Sequence, residues 1–224
     1  MPVTTVDPHH VVKPRMRGWL HTYAFFVAIA AGIVLCSLAA ARPGLAPLVS
    51  CAIYSVTVCG LFGVSALYHR RKWTPRRWAL MRRLDHSMIF LFIAGTYTPF
   101  SILVLHGTTR VAILATVWVG ALLGVALKMV WPHAPRWAST PLYIALGWVA
   151  VFVLPQILHN AGIASLVLLL AGGVAYSVGA VFYALRRPNP WPTVFGHHEF
   201  FHACTVVAAV CHMIAIYFAL YAWR

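Results

Sequence analysis

The stretch WLHTYAFFVAIAAGIVLCSLAAA, residues 19–41, contains no aspartate, glutamate, lysine or arginine. About 20 apolar residues in a helix span the hydrocarbon core of a bilayer, which is about 30 Å thick. The whole chain of 224 residues is 62% hydrophobic and only 9% charged, whereas soluble domains carry about 25% charged residues. Too few charged side chains remain to cover a globule in water, so the sequence predicts an all-α integral membrane protein.

Six further apolar stretches follow the first one. Together the seven cover residues 19–41, 46–68, 86–106, 110–131, 138–156, 161–185 and 198–222. Each is long enough for a helix that crosses the bilayer, and none shows the alternating pattern of a barrel strand. We therefore predict that residues 1–18 form a short cytoplasmic tail and that residues 19–224 form one domain of seven transmembrane helices.

The positions of lysine and arginine predict the orientation of this domain. With the N-terminus in the cytoplasm, 14 of the 17 basic residues fall on the cytoplasmic side, and only Arg42, Arg110 and Arg224 fall outside. Cytoplasmic loops of membrane proteins carry such an excess, so we predict a cytoplasmic N-terminus and an external C-terminus. The formal net charge of +14 then suits anionic lipid headgroups and does not indicate nucleic-acid binding.

Acidic residues are so rare that their positions are informative. The chain contains only Asp7, Asp85 and Glu199. Asp7 belongs to the tail, whereas the other two stand at the starts of the third and seventh apolar stretches. Ionisable groups near or within the bilayer are energetically costly and commonly functional. The predicted topology brings both to the cytoplasmic leaflet, together with the end of the second stretch, which carries Ser65 and His69.

The histidines at these helix ends have the spacing of metal ligands. His198 and His202 are four residues apart and project from one face of a helix, and His69 comes from another helix of the same leaflet. Three protein ligands with an open fourth position are typical of catalytic zinc, which neutral imidazole suits. We therefore predict a Zn²⁺ site with these three ligands. Asp85 would orient the bound water or accept its proton, and Ser65 would hydrogen-bond that water or a substrate oxygen.

A second interpretation concerns the same segment. The sequence His198-Glu199-Phe200-Phe201-His202 also matches the HExxH motif of zinc proteases, in which the glutamate is the general base. Glu199 would then replace Asp85 in that role. The pattern of residues leaves both choices open.

Several motifs together resemble one known family. They are KPRMRGWLH at residues 13–21, SALYH at 65–69, LDHS at 84–87, AGTYTP at 94–99 and HEFFH at 198–202. The chain resembles, over almost its whole length, the hemolysin III family, the bacterial branch of the progestin and adipoQ receptor superfamily that includes the adiponectin receptors.

This resemblance implies seven helices with a cytoplasmic N-terminus and a zinc ion held by His69, His198 and His202. It also places Ser65 and Asp85 near the zinc-bound water. We expect a protein of the bacterial cytoplasmic (inner) membrane that hydrolyses lipid amide or ester bonds, as a ceramidase does, and contributes to membrane lipid homeostasis. The substrate's acyl chain would lie between helices. A non-enzymatic sensor of membrane state with a structural zinc, and an intramembrane metalloprotease that uses Glu199, are the alternatives.

Overall fold

The computed structural model describes residues 13–131 and 135–223, so most of the predicted tail lies outside the described residues. The all-α prediction is confirmed. The helices are α1 (Trp19–Ala40), α2 (Ala46–Arg70), α3 (Pro75–Val104), α4 (Gly107–Val130), α5 (Arg136–Gly147), α6 (Leu154–Leu185) and α7 (His197–Ala222). A short 3₁₀ segment, Trp148–Val153, joins α5 to α6.

Three helices begin with a proline in their first turn, where the missing N–H has no helical partner in any case. They are α2 with Pro47, α3 with Pro75 and α6 with Pro155. Helix α3 therefore starts 11 residues before the apolar stretch that predicts it. Asp85 consequently lies inside the helix, about 15 Å along its axis from the first residue.

Helix α3 forms the centre of the bundle. In its most apolar 18-residue window 72% of the residues are buried, against 22–44% in the other candidate spans. It contacts α2, α4, α5, α6 and α7. The outward faces of the surrounding helices carry large exposed apolar side chains such as Phe26, Ile33 and Leu123. An apolar exterior of this extent suits a lipid surrounding, because water would penalise it.

The chain reverses direction inside the segment assigned to α6. Gly162 has φ 80° and ψ 172°, a conformation that only glycine adopts readily. The indole Nε1 of Trp148 donates a hydrogen bond to Oγ of Ser177 at 2.9 Å, although a straight helix would separate these residues by about 43 Å. Trp148 and Ser177 are nearly equidistant in sequence from Gly162, so the two flanking segments pack side by side.

Among the described residues, six helical segments are long and apolar enough to cross a membrane. They are Trp19–Ala40, Ala46–Arg70, Pro75–Val104, Gly107–Val130, Ser139–Leu185 and His197–Ala222. The fifth segment has 47 residues, whereas about 20 residues suffice for one crossing. This is the segment that Gly162 divides.

Tyr97 of α3 stabilises the change from α5 to the 3₁₀ segment. Its hydroxyl donates to the carbonyl of Gly147 at 2.6 Å and accepts from the backbone N–H of Ala150 at 2.6 Å. Backbone groups freed at a helix break in a membrane require such partners, because no water is available there. The contact fixes Trp148 against the interior of the bundle.

Candidate metal centre

The three predicted ligands meet where α2 ends and α7 begins. His69 is the next-to-last residue of α2, and His198 and His202 lie in the first two turns of α7. Their ligand nitrogens all lie within 4.8 Å of one another. His69 and His202 are buried, and His198 is partly buried. The spacing of four residues on α7 thus directs both imidazoles towards α2, as the sequence predicts.

The geometry of this cluster fits a divalent metal ion. The Nε2 atoms of His69 and His198 lie 3.1 Å apart. Two nitrogens at about 2.0–2.1 Å from one tetrahedral zinc are separated by about 3.3 Å. Three imidazoles without a carboxylate or thiolate ligand leave a fourth position open. The donor set therefore suits zinc with an exchangeable ligand, as in catalytic sites.

Ser65 and Asp85 line the same cavity as this cluster. Ser65 is one turn before His69 on α2, and its hydroxyl is a hydrogen-bond partner of the Asp85 carboxylate on α3. Within the described part of the chain, Asp85 forms no ion pair. Its carboxylate therefore keeps the capacity to accept a proton.

These five side chains line one end of a cavity of about 550 Å³. The cavity continues between the helices, past apolar residues that include Leu61, Ile89, Phe92, Ile93 and Ile144, as far as His212. Along α7 the distance from His198 to His212 corresponds to about 21 Å. The cavity thus joins the histidine cluster to a mainly apolar interior that also contains a few polar side chains, such as Ser177 and His212.

Glu199 is held in a different environment from Asp85. It is 1% exposed, and its Oε2 accepts the backbone N–H of Gly196 at 2.9 Å. The guanidinium of Arg17 donates from Nε to its Oε1 and forms an ion pair with it. Both oxygens are thus occupied by structural contacts at the start of α7, so Glu199 is a poor candidate for a general base.

The segment from Lys13 to Gly18, which we call the N-terminal strap, covers the cluster. The backbone N–H groups of Arg15 and Met16 donate to the carbonyls of Thr193 and Val194, at 3.0 and 3.1 Å. The ammonium of Lys13 donates to the carbonyl of His69. Partial burial, together with the nearby charges of Arg17 and Arg70, lowers the pKa of Lys13. The strap therefore connects the end of α2 with the loop before α7.

Gly18 brings the strap directly against a ligand. Its φ is +82°, and a Cβ at this position would lie 2.8 Å from Cβ of His69. We expect Gly18→Ala to displace His69 and to weaken metal binding by roughly tenfold to a hundredfold, since changes beside metal ligands commonly have effects of this size. The measurement is the zinc affinity of the purified protein, from competition with a chromophoric chelator.

Gly44→Ala is the matched control for this variant. Gly44 has a similar φ of +77°, with no atom within 4 Å of the added Cβ. It therefore shares the backbone penalty of about 1–2 kcal/mol without the steric clash. Equal zinc affinity in the two variants would show that the contact between Gly18 and His69 does not position the ligand.

The sequence alone does not reveal the role of His21. Its ring stacks on His202, with centroids 3.8 Å apart and planes 8° from parallel, and it is 2% exposed. It also contacts Phe62 of α2, with ring centroids 5.1 Å apart. The stacking fixes the plane of one ligand. The signals in the sequence are its place at the end of the motif KPRMRGWLH and in the first turn of a mainly apolar helix.

Two other histidines are distinct from the cluster. His212 donates from Nε2 to the carbonyl of Leu169 at 3.1 Å, and it lines the far part of the cavity. Nδ1 of His86 is 2.7 Å from the carbonyl of Arg82, and His86 lines the cavity next to Asp85. The structure thus places His212 in the packed interior and His86 within the polar end.

Comparison with known proteins agrees with the architecture. A family model described as Haemolysin-III related matches residues 9–213. Hemolysin-3 of Bacillus cereus is 34% identical over 167 residues, which cover 75% of this chain and 76% of that protein. A hemolysin-3 homolog of Bacillus subtilis is 29% identical over 198 residues, 88% and 90% of the two chains. The heptahelical transmembrane protein ADIPOR2 of rice is 31% identical over 180 residues, 73% and 79% of the two chains.

Proposed function

Since the chain belongs to the Haemolysin-III related family of membrane proteins, we propose that it is a zinc-dependent hydrolase of lipid amide or ester bonds. One observation carries this proposal. Three histidines, a hydroxyl and a carboxylate that forms no ion pair with any described residue line the same cavity within the bundle. A purely structural metal site requires neither the cavity nor the available carboxylate.

The proposed topology has seven crossings, with the N-terminus in the cytoplasm of a bacterium and the C-terminus outside its inner membrane. The reversal at Gly162 supports this count, because it turns the segment Ser139–Leu185 into two antiparallel crossings. The excess of lysine and arginine on one side supports the orientation. In this topology the histidine cluster belongs to the cytoplasmic leaflet, where a membrane lipid reaches it without leaving the bilayer.

His69, His198 and His202 would hold the zinc ion. When bound at such a site, zinc supplies an activated water and a Lewis acid for a carbonyl group. Asp85 would accept the proton of the attacking water and return it to the leaving amine or alcohol. Ser65 orients the Asp85 carboxylate through their hydrogen bond. The products are a fatty acid, which gains the hydroxyl of the water, and the amine or alcohol, which gains its proton.

The apolar part of the cavity would hold the acyl chain. Its walls exclude water from the chain, and the polar end leaves the scissile bond next to Asp85. Removing water also strengthens electrostatic interactions at the reacting groups. The arrangement favours substrates with one long acyl chain attached to a polar group that remains at the membrane surface.

The direct test measures fatty-acid release by the purified protein in detergent micelles. A ceramide and a phospholipid, each with a labelled oleoyl chain, are the substrates. We expect release from at least one of them, loss of release on treatment with a zinc chelator, and recovery when zinc is added back. A folded, zinc-loaded protein that releases fatty acid from neither substrate would contradict the proposal for these lipid classes.

The metalloprotease alternative is weaker, because Glu199 is already bound by Arg17 and by the backbone of Gly196. A sensor with structural zinc remains the main competing function. In that case the metal would join α2 to α7, and Asp85 would have no chemical role.

A further inference from the structure

Lys128 is a buried cation in the interior of the bundle. It lies near the end of α4, it is 3% exposed, and its side chain lines the cavity. Its ammonium stands 5.8 Å from the centroid of the Tyr143 ring, and the attraction between a cation and an aromatic ring is modest. Buried charges in membrane proteins are costly and are commonly paired with an opposite charge.

No protein carboxylate supplies this charge within the described residues. Glu199 forms an ion pair with Arg17, the single ion pair among the described residues. Asp85 is hydrogen-bonded to Ser65. Arg82 of α3 also lines the cavity, and its positive charge repels that of Lys128. Two cations from different helices thus face the same space.

The cavity wall as a whole carries an excess of positive charge. The described cavity wall contains one carboxylate, that of Asp85, and five basic side chains: Lys13, Arg17, Arg71, Arg82 and Lys128. The side chain of Thr140, which carries a hydroxyl, is buried in the same wall. Cations and hydroxyl donors around a concave site are the groups that bind a phosphate or another anionic oxygen cluster.

We propose that the cavity binds a lipid with a net negative headgroup, and that Lys128 and Arg82 contact that headgroup. The inference rests on the proposed function, because it assigns the headgroup class of a lipid in the same cavity. The apolar walls beyond the polar end, which include Phe92, Ile93 and Ile144, favour a lipid over free phosphate. An anionic headgroup would neutralise two cations that repel each other, so such a lipid should bind more tightly than a zwitterionic lipid.

Binding is tested without hydrolysis, on the full-length protein in detergent, treated with a zinc chelator. The probes are dioleoylphosphatidylglycerol, dioleoylphosphatidylcholine and inorganic phosphate, and native mass spectrometry reports the fraction of lipid-bound protein. We expect Lys128→Met to weaken phosphatidylglycerol binding roughly tenfold or more, because hydrogen bonds to charged groups are worth this much. Phosphatidylcholine binding should be unchanged.

Lys72→Met is the matched control. Lys72 is exposed and lies outside the cavity, so the variant removes the same charge from the surface only. Phosphatidylglycerol binding by this control should equal that of the wild type, which separates the cavity from general attraction to a basic protein. Arg82→Gln provides a second variant in the cavity, and it should weaken phosphatidylglycerol binding in the same way.

Three outcomes would overturn the inference. One is equal phosphatidylglycerol binding by Lys128→Met, Arg82→Gln and the wild type. Another is an equal loss in Lys72→Met and Lys128→Met. The third is competition by inorganic phosphate at the affinity of the lipid, which would identify a site for free anions. None of these three measurements depends on fatty-acid release. Failure of the binding tests would therefore not contradict the hydrolase proposal. Equally, a protein that binds the anionic lipid but releases no fatty acid would not contradict the headgroup assignment.

Discussion

Replacing His202 with alanine is expected to remove zinc from the purified protein and to abolish zinc-dependent hydrolysis. The variant loses one of three ligands whose nitrogens lie within 4.8 Å of one another. Loss of groups that merely orient a ligand weakens metal binding by about 10–100-fold, so removal of the ligand itself should exceed a hundredfold. Elemental analysis of the protein gives the bound zinc, and chelator competition gives its affinity.

His159→Ala is the control for this experiment. His159 is exposed and lies on α6, before the reversal at Gly162, and it does not line the cavity. This variant should retain one zinc per chain and full activity. If His202→Ala retained wild-type zinc while it remained folded, the three histidines would not form the metal site.

Replacing Asp85 with asparagine is expected to leave zinc bound while hydrolysis falls by about 10²–10⁴-fold, the usual contribution of a general acid–base group. Asparagine has nearly the same shape as aspartate, and its amide can still hydrogen-bond to Ser65, but it cannot accept a proton from water. Zinc content and unfolding temperature should therefore remain close to those of the wild type. The rate of fatty-acid release at saturating substrate is the decisive measurement.

The same variant separates the three functional interpretations. If zinc has only a structural role, Asp85→Asn should leave every measured property of the protein unchanged. If Glu199 is the base, Glu199→Gln should abolish activity in the fraction that remains folded and zinc-loaded, whereas Asp85→Asn should not. For the proposed hydrolase, zinc-loaded Glu199→Gln should keep its activity, although loss of the ion pair with Arg17 lowers its stability.

Two simple regularities of the sequence are enough to predict which histidines form the cluster. Apolar stretches determine which helix ends share a leaflet, and a spacing of four residues determines that His198 and His202 share a helix face. Neither regularity requires knowledge of how the helices rotate about their axes. Chain topology places His69 at the same depth as the α7 pair, and the structure shows that their side chains meet.

The contacts around the cluster depend on helix rotation and could not be predicted in the same way. His21 and Lys128 both stand near the ends of apolar stretches, where polar side chains commonly face the membrane surface. Only the packed structure shows that His21 stacks on His202 and that Lys128 turns into the cavity. Likewise, the composition of the N-terminal strap indicates a tail. No periodic pattern in the sequence predicts its contacts with the loop before α7.

The hydropathy pattern predicts the reversal at Gly162 only in part. The gap between the fifth and sixth apolar stretches predicts a loop at about residues 157–160, whereas the helix continues through these positions and breaks at a single glycine. A conformation with φ of 80° is open to glycine without penalty, so no polar loop is needed. Hydropathy indicates where one crossing ends, but it cannot locate a turn made by a single glycine.

The separation of the ligands along the chain has a consequence for biogenesis. His69 precedes His198 by 129 residues, so at 5–20 residues per second the ribosome needs roughly 6–26 s to make the second ligand after the first. During that interval the growing protein carries one of the three candidate ligands, and helices α3–α6 are still being made. The three ligands of the proposed zinc site are complete only when the first turns of the last helix have been synthesised. If the site holds zinc, the ion can therefore bind only late in synthesis.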